Sequence, residues 1–125
     1  MGADQIAEIR PQVVEVFDAA AAGESWCATF RITGYPDLWV EVTRESIRGP
    51  SRQSEPSEFL GNLPRALSQS LQVRDWSPNE FVTFSYDQTL SPRDVAQLVD
   101  ALFALELGGA DFDYSVDVTL TPQRA

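Results

Sequence analysis

The chain has 125 residues, with 19 acidic and 9 basic side chains and a formal net charge of −10. This acidity argues against nucleic-acid binding, which needs a basic surface for phosphate contacts, and against docking on an anionic membrane. The sequence contains neither histidine nor lysine. Ser-His-Asp and Cys-His catalysis, the commonest zinc ligands, Schiff-base chemistry and a P-loop lysine are therefore excluded.

Size and composition predict a single domain that folds without a metal or a disulfide. Hydrophobic residues make up 43% of the chain, which is enough for a core. Cys27 is the one cysteine, so it cannot form an internal disulfide, and this fits a reducing compartment. No apolar run approaches the ~18 residues of a membrane span, and the N-terminus lacks the pattern of a secretory signal. We therefore expect a cytoplasmic protein.

The first predicted element is an amphipathic helix over residues 3–22. Its apolar positions recur at helical spacing and share one face: Ile6, Ile9, Val13, Val16, Phe17 and Ala20. Pro11 lies inside this stretch, so the regular helix either begins near Arg10 or is kinked there. Gly23 is expected to end the helix.

A β-hairpin is predicted next, because two alternating stretches flank a turn. Residues 26–33 place Trp26, Ala28, Phe30 and Ile32 on one side and Cys27, Thr29, Arg31 and Thr33 on the other. Residues 34–37, Gly-Tyr-Pro-Asp, predict the turn. Residues 38–43 form the second strand, with Leu38, Val40 and Val42 on the core side. A short third strand is expected at residues 45–48.

The middle of the chain is predicted to be mostly helical. Residues 49–56 are polar and rich in proline and serine, which indicates a loop. Residues 57–73 have an apolar stripe at helical spacing: Phe59, Leu60, Leu63, Leu67 and Leu71. Pro64 divides this stretch into two short pieces or marks where its regular part starts. Residues 75–78 predict a turn, and residues 81–86 a strand.

The clearest local signal is the stretch of residues 91–109, which predicts a long helix. Ser91 is a good N-cap, Pro92 suits the first helical position, and Asp94 completes a capping box. The apolar face of this helix consists of Val95, Leu98, Val99, Leu102 and Leu105. Residues 114–120 then alternate between apolar and polar side chains, as a half-buried strand does.

This order of elements predicts an α+β fold. We expect an antiparallel sheet with helices packed on one face, in the order helix, strands, helix, strand, helix, strand. Each predicted helix has a single apolar stripe, and together the stripes are enough to cover one side of the sheet. The second face of the sheet is then left partly open.

Carboxylates are the remaining candidates for chemistry. Asp111, Asp113 and Asp117 could supply oxygen ligands to calcium or magnesium, although the twelve-residue calcium-loop pattern is absent. We favour the simpler interpretation, an acidic loop exposed to water. Cys27 would be reactive only if a cation such as Arg31 lowered the pKa of its thiol; otherwise it is an ordinary small side chain. No pattern calls for a cofactor, and we expect the chain not to be an enzyme.

The candidate binding surface is centred on Trp39. In its predicted strand, the Trp39 side chain lies on the face opposite the core, together with Glu41. Arg31 lies on this same face of the sheet, on the first strand. Large aromatic side chains on a non-core face are enriched at binding sites, but they also pack under loops or at sheet edges. The expected protein-binding residues are Trp39, Glu41, Arg31, Asp111, Asp113 and Asp117.

A series of short motifs lies between residues 38 and 118. It comprises the strand at residues 38–42, a leucine-rich stretch at 60–71, the Trp-x-Pro element at 76–78, the tripeptide Asn-Glu-Phe at 79–81 and a helix that begins Val-Ala-Gln-Leu at 95–98. This series resembles the type III secretion chaperones and the related TY-Chap domains. The chain differs from them in Pro64 and in the strand at 114–120, where the secretion chaperones end in a helix.

The resemblance implies a small, acidic, bacterial protein that binds a protein or peptide and has no catalytic residues. We therefore expect a non-enzymatic cytoplasmic protein that holds a basic partner, such as a secreted effector, on its sheet. The alternative is an immunity protein that binds and neutralises a toxin, such as a basic nuclease, because opposite charge speeds association. A homodimer is among the expected assemblies.

Overall fold

The computed structural model describes residues 2–50, 60–61, 63–78, 80–106 and 115–122. The elements whose bounds these residues give are, in chain order, α1 (Gly2–Ala21), β1 (Trp26–Ile32), β2 (Tyr35–Val42), β3 (Ser46–Pro50), α2 (Arg65–Ser68), β4 (Leu71–Ser77), β5 (Phe81–Tyr86), α3 (Pro92–Glu106) and β6 (Val116–Pro122). The predicted α+β class is confirmed.

The six strands form one sheet in the order β4-β5-β3-β2-β1-β6, and all neighbouring strands are antiparallel. The predicted hairpin of β1 and β2 therefore lies inside the sheet, with a further strand hydrogen-bonded on either side of the pair. The last strand of the chain, β6, lies beside β1, far away in sequence, and forms one of the two sheet edges.

The core lies between the sheet and the pair of long helices. α1 and α3 contact each other, α1 also contacts β1 and β6, and α3 contacts β2. The alternation predicted for β1 and β2 is confirmed, because Ala28, Phe30, Ile32, Leu38, Val40 and Val42 are all buried. The helices contribute Ile9, Val13, Val16, Val95, Leu98, Val99, Leu102 and Phe103 to the same core.

Helix α3 begins with the capping box that its sequence predicts. The backbone N–H of Asp94 donates to the Ser91 hydroxyl at 3.2 Å, and the backbone N–H of Ser91 donates to the Asp94 carboxylate at 3.0 Å. Two N–H groups that the first turn cannot satisfy are thereby paired. Residues 107–109, the end of the stretch that predicts this helix, lie outside the described residues.

Helix α1 continues through Pro11 instead of starting after it. Pro11 costs the helix one backbone hydrogen bond, but its ring lies on the exposed side. The opposite side carries Ile9 and Val13, which are fully buried, so packing on the sheet outweighs the local loss. The helix ends as predicted: Gly23 has a φ of 84° and donates its N–H to the Ala20 carbonyl at 3.0 Å.

The largest difference from the sequence-based expectation is strand β4. In the described part of residues 57–73, the longest helix is only Arg65–Ser68, and the predicted turn at residues 75–78 is wrong because β4 runs through Ser77. The register with β5 shifts between Val73 and Asp75, which indicates a β-bulge. The extra residue breaks the alternation of apolar and polar side chains, and the alternation is what identifies a strand.

Three other boundaries differ by a few residues. The first turn is tightened to Thr33 and Gly34, which has a φ of 87°, so β2 begins at Tyr35 and not at residue 38. Strand β3 runs over Ser46–Pro50 instead of residues 45–48, and β6 over Val116–Pro122 instead of residues 114–120. None of these shifts changes which side chains of β1 and β2 face the core.

An aromatic and cationic cluster closes the end of the core beneath the β2–β3 turn. The rings of Phe17 and Tyr86 stack with centroids 6.4 Å apart, and the Arg44 guanidinium lies 4.1 Å above the centre of the Phe17 ring. The Tyr86 hydroxyl donates to the Thr43 carbonyl at 2.7 Å. Burial raises the pKa of Tyr86 to about 12, although Arg44 opposes that shift.

This raised pKa predicts a loss of stability in alkali. Below pH 10 the Tyr86 phenol is protonated in the folded and in the unfolded protein. Above pH 10 the unfolded chain loses this proton first, so the free energy of unfolding falls until about pH 12. Urea unfolding of the wild type, Tyr86→Phe and Tyr35→Phe between pH 9 and 12 measures this, since Tyr35 is 58% exposed. The Tyr86→Phe variant should show a shallower alkaline slope, because only the contribution of the buried Cys27 thiol, whose pKa is also raised, remains, and equal slopes in all three proteins would contradict the assignment.

Candidate functional site

The candidate site is the face of the sheet turned away from α1 and α3, which we call the open face. Strand alternation places on it Cys27, Thr29 and Arg31 of β1, Trp39 and Glu41 of β2, Arg48 of β3, Phe81 and Thr83 of β5, and Asp117 and Thr119 of β6. It is mostly polar, as expected for a sheet that packs its helices on the other side.

The strand register brings four of the six predicted site residues together. Arg31 lies directly opposite Trp39 on β2 and directly opposite Asp117 on β6. Glu41 lies one row further along, opposite Thr29 of β1. Residues that face each other in this way have Cβ atoms about 4.5–5.5 Å apart, so Arg31 is an immediate neighbour of both Trp39 and Asp117. Glu41 lies two residues from Trp39, on the same face of β2. Asp111 and Asp113, the other two predicted residues, lie outside the described residues.

The exposure of these side chains differs along the row. Arg31 and Asp117 are exposed, whereas Trp39 and Glu41 are half-buried. Trp39 is also absent from the group of apolar side chains that pack against the core, a group that does include Trp26. Trp39 therefore retains accessible aromatic surface on the open face, between the polar side chains of its own strand and the adjacent one.

Sequence reasoning missed two further residues of the open face. The Arg48 guanidinium lies 4.2 Å above the centre of the Phe81 ring, and Arg48 is directly opposite Glu41. The row through Glu41 therefore continues across β3 to β5, where Thr83 faces Arg48. Neither contact could be found from sequence, because each depends on which strands are neighbours in the sheet.

Cys27 lies on the open-face side of β1 but is itself buried. Burial raises the pKa of its thiol, and the neighbouring Glu41 carboxylate, 3.8 Å from Sγ, raises it further. A reactive thiol requires the opposite shift, so the hypothesis that Arg31 activates Cys27 is not supported. The ordinary interpretation, a small buried side chain, fits these surroundings.

The described residues contain neither a candidate metal site nor a helix fit to cross a membrane. Nowhere in this part of the chain do three histidine, cysteine, aspartate or glutamate side chains converge as a metal site would require. None of the described helices combines the length and the apolar composition needed to cross a membrane.

Comparison of the chain with family models, with curated proteins and with solved structures finds no match in any of the three.

Proposed function

We propose that this chain is a non-enzymatic binding protein that holds a basic protein or peptide on the open face of its sheet. One observation carries the proposal: Arg31 stands in register between Trp39 and Asp117, so a cation, an aromatic ring and a carboxylate form one row across three strands. Tryptophan and arginine are the side chains that most often dominate the binding energy of protein interfaces.

The backbone orders the centre of this row. At Arg31, strand β1 is paired with β2 on one side and with β6 on the other. A partner would therefore meet side chains whose backbone is already ordered, which reduces the entropy lost on binding. Within the described residues, the structure records neither a hydrogen bond nor an ion pair to the Arg31 guanidinium, so its N–H groups can donate to a partner's carboxylate or carbonyl oxygen.

The charge of the chain selects the class of partner. With a net charge of −10, the protein attracts basic molecules and repels acidic ones at long range. Residues 75–125 carry nine acidic side chains and two arginines, so the imbalance is strongest in this part of the chain. Such complementarity speeds the encounter and suppresses wrong partners more than it increases affinity.

The biological role we propose is chaperone-like, in the cytoplasm, with a secreted effector as the basic client. The resemblance of residues 38–118 to secretion chaperones supports this choice over the immunity role. A toxin-neutralising role would use the same surface and the same charge. The two roles differ in one outcome: an immunity protein abolishes the activity of its partner, whereas a chaperone leaves the released client active.

A photo-cross-linking experiment tests the use of the open face. A photoreactive amino acid replaces Thr29, beside Glu41, and in a matched control it replaces Asp18, which is exposed on α1. Cross-linking in the native cytoplasm should capture a basic protein from position 29 and not from position 18. The rate at which this captured protein associates with the chain should fall about tenfold or more as the salt concentration rises from ~0.05 to ~0.5 M. Equal capture at both positions, or a rate indifferent to salt, would refute the proposal.

A further inference from the structure

Strand β6 forms one edge of the sheet. No described strand lies beyond it, so its outward backbone groups have no strand partner in the described part of the chain. The Thr33 N–H donates to the Ser115 carbonyl at 2.9 Å, which fixes the phase of the β1–β6 ladder. Backbone groups of alternate residues in an antiparallel strand point to opposite sides. The N–H and C=O groups of Val118 and Leu120 therefore point away from β1, towards the free edge.

Both ends of this edge are protected. Val116 shares the outward phase, and its N–H donates to the Glu8 carboxylate of α1 at 3.5 Å. Pro122, at the other end, has the outward phase but no N–H to offer. Charged side chains and prolines are the usual means by which exposed strand edges avoid unwanted pairing. The unprotected part of the edge is thus confined to Val118 and Leu120.

A groove lies on the helix side of this edge. It has a volume of about 260 Å³ and is lined by Glu15 and Ala19 of α1, by Glu24 and Trp26, and by Leu120. We call it the edge groove. The indole N–H of Trp26 donates to the Glu24 carboxylate at 3.1 Å, which holds that carboxylate next to the ring. The ring of Trp26 and the carboxylates of Glu15 and Glu24 thus line the same groove.

We infer that the edge of β6 binds an extended basic segment of a partner protein, which adds to the sheet as a further strand. Its backbone pairs with the outward groups of Val118 and Leu120. Every second side chain of the added strand then points to the helix side. A lysine or arginine at such a position enters the edge groove, where its aliphatic stem packs on Trp26 and its charge meets Glu15 and Glu24.

Charge decides between a basic partner and a second copy of this chain. Antiparallel pairing of two β6 strands would bring two copies of α1, each with Glu8 and Glu15 along the edge, into proximity. Both copies also carry a net charge of −10. Like charges facing each other destabilise such a contact, whereas a basic segment relieves the same repulsion. A basic segment therefore fits the edge better.

This inference does not depend on the open face. The edge groove lies on the helix side of the sheet, and Trp39, Glu41 and Asp117 lie on the other side. A failure at one surface is therefore distinguishable from a failure at the other.

The test uses a fluorescent, end-blocked peptide of four Thr-Arg repeats, which places all its arginines on one side when extended. Fluorescence anisotropy measures its affinity for the full chain. The control peptide has the same composition, with the threonines and arginines in two blocks. We expect the alternating peptide to bind at least about fivefold more tightly, and to slow hydrogen exchange of the Val118 and Leu120 amides at least about tenfold.

Matched variants assign the binding to the edge groove. Glu15→Gln and Glu24→Gln should each weaken binding of the alternating peptide about threefold or more, whereas Glu80→Gln, the same change in the exposed β4–β5 turn at the other end of the sheet, should not. Val118→Pro should weaken binding of the alternating peptide at least about tenfold, because it removes one outward N–H. Val118→Ala keeps that N–H and should keep most of the binding. If the proline variant does not fold, the glutamine variants still show whether the peptide binds in the edge groove.

Three results would overturn the inference. Equal binding of both peptides would reduce it to non-specific charge attraction. Weakening by Glu41→Gln and not by Glu15→Gln would move the peptide to the open face. Slow exchange of the Val118 and Leu120 amides in the free protein would mean that the edge is already covered. If the exchange rate does not depend on protein concentration, the chain itself covers the edge; if it does, a second copy covers it.

Discussion

Replacing Leu102 with alanine is expected to lower the free energy of unfolding by about 2–5 kcal/mol, because the substitution opens a cavity in a packed core. Leu102 is only 3% exposed. A Cβ atom on Gly49 would lie 3.7 Å from Leu102 Cδ1 and 3.5 Å from Val40 Cγ2, so this leucine packs α3 onto the middle of the sheet. Urea unfolding followed by tryptophan fluorescence measures the loss.

Arg93→Ala is the matched control for Leu102. Arg93 lies in the same helix but is exposed, and alanine is a good helix former. Its replacement should change the free energy of unfolding by less than about 0.5 kcal/mol. If the two variants unfold at the same urea concentration, the core does not lie between α3 and the sheet, and the arrangement of layers described above is wrong.

Local signals in the sequence predicted the elements that depend on local chemistry. The capping box of α3 needs only Ser91 and Asp94, three residues apart, and it forms with both hydrogen bonds. The alternation in β1 and β2 identified the buried sides of both strands, because burial on one face imposes a period of two. For the same reason the separation of Trp39 from the core could be predicted.

Strand β4 could not be predicted because its signal is interrupted. Leu71 and Val73 follow the period of two, but the bulge before Asp75 shifts the phase, so that Trp76 faces Val82. Leucines at helical spacing just before the strand favoured a helix instead. In the structure Leu60, Leu63 and Leu67 do pack against the core, although the described helix there has only four residues.

Neighbour relations between strands lie beyond any local pattern. The row of Trp39, Arg31 and Asp117 exists because β6 pairs with β1, although the two strands are more than 80 residues apart along the chain. Alternation predicts which face a side chain occupies and not which strand lies beside it. The same limit explains Trp26: it has the core phase, as predicted, but it stands at the start of β1 beside the edge strand and is only half-buried.

The two proposed surfaces meet along β6. Its odd-numbered residues, such as Asp117, contribute side chains to the open face, and the outward backbone groups of Val118 and Leu120 form the edge. A partner that pairs with the edge and continues over the open face would engage both without any rearrangement of the sheet. Linking two contacts within one partner raises the overall affinity above that of either contact alone.

Replacing Trp39 with alanine is expected to weaken binding of the partner captured through position 29 by more than about 1 kcal/mol, or roughly fivefold or more in Kd. The indole is the largest apolar side chain at the centre of the open face, and Arg31 and Glu41 flank it. The loss should be in the dissociation rate, because removing apolar contact leaves electrostatic steering unchanged. Titration calorimetry and surface binding kinetics measure the two quantities.

Trp26→Ala is the control that separates binding from folding. Trp26 packs against the core and Trp39 does not, so Trp26→Ala should lower the free energy of unfolding more than Trp39→Ala does. Trp39→Phe should restore part of the affinity, because it keeps an aromatic ring on the face. If Trp39→Ala destabilises the fold as much as Trp26→Ala does, Trp39 is a packing residue. If the partner binds the Trp39→Ala variant as tightly as the wild type, the open face is not where it docks.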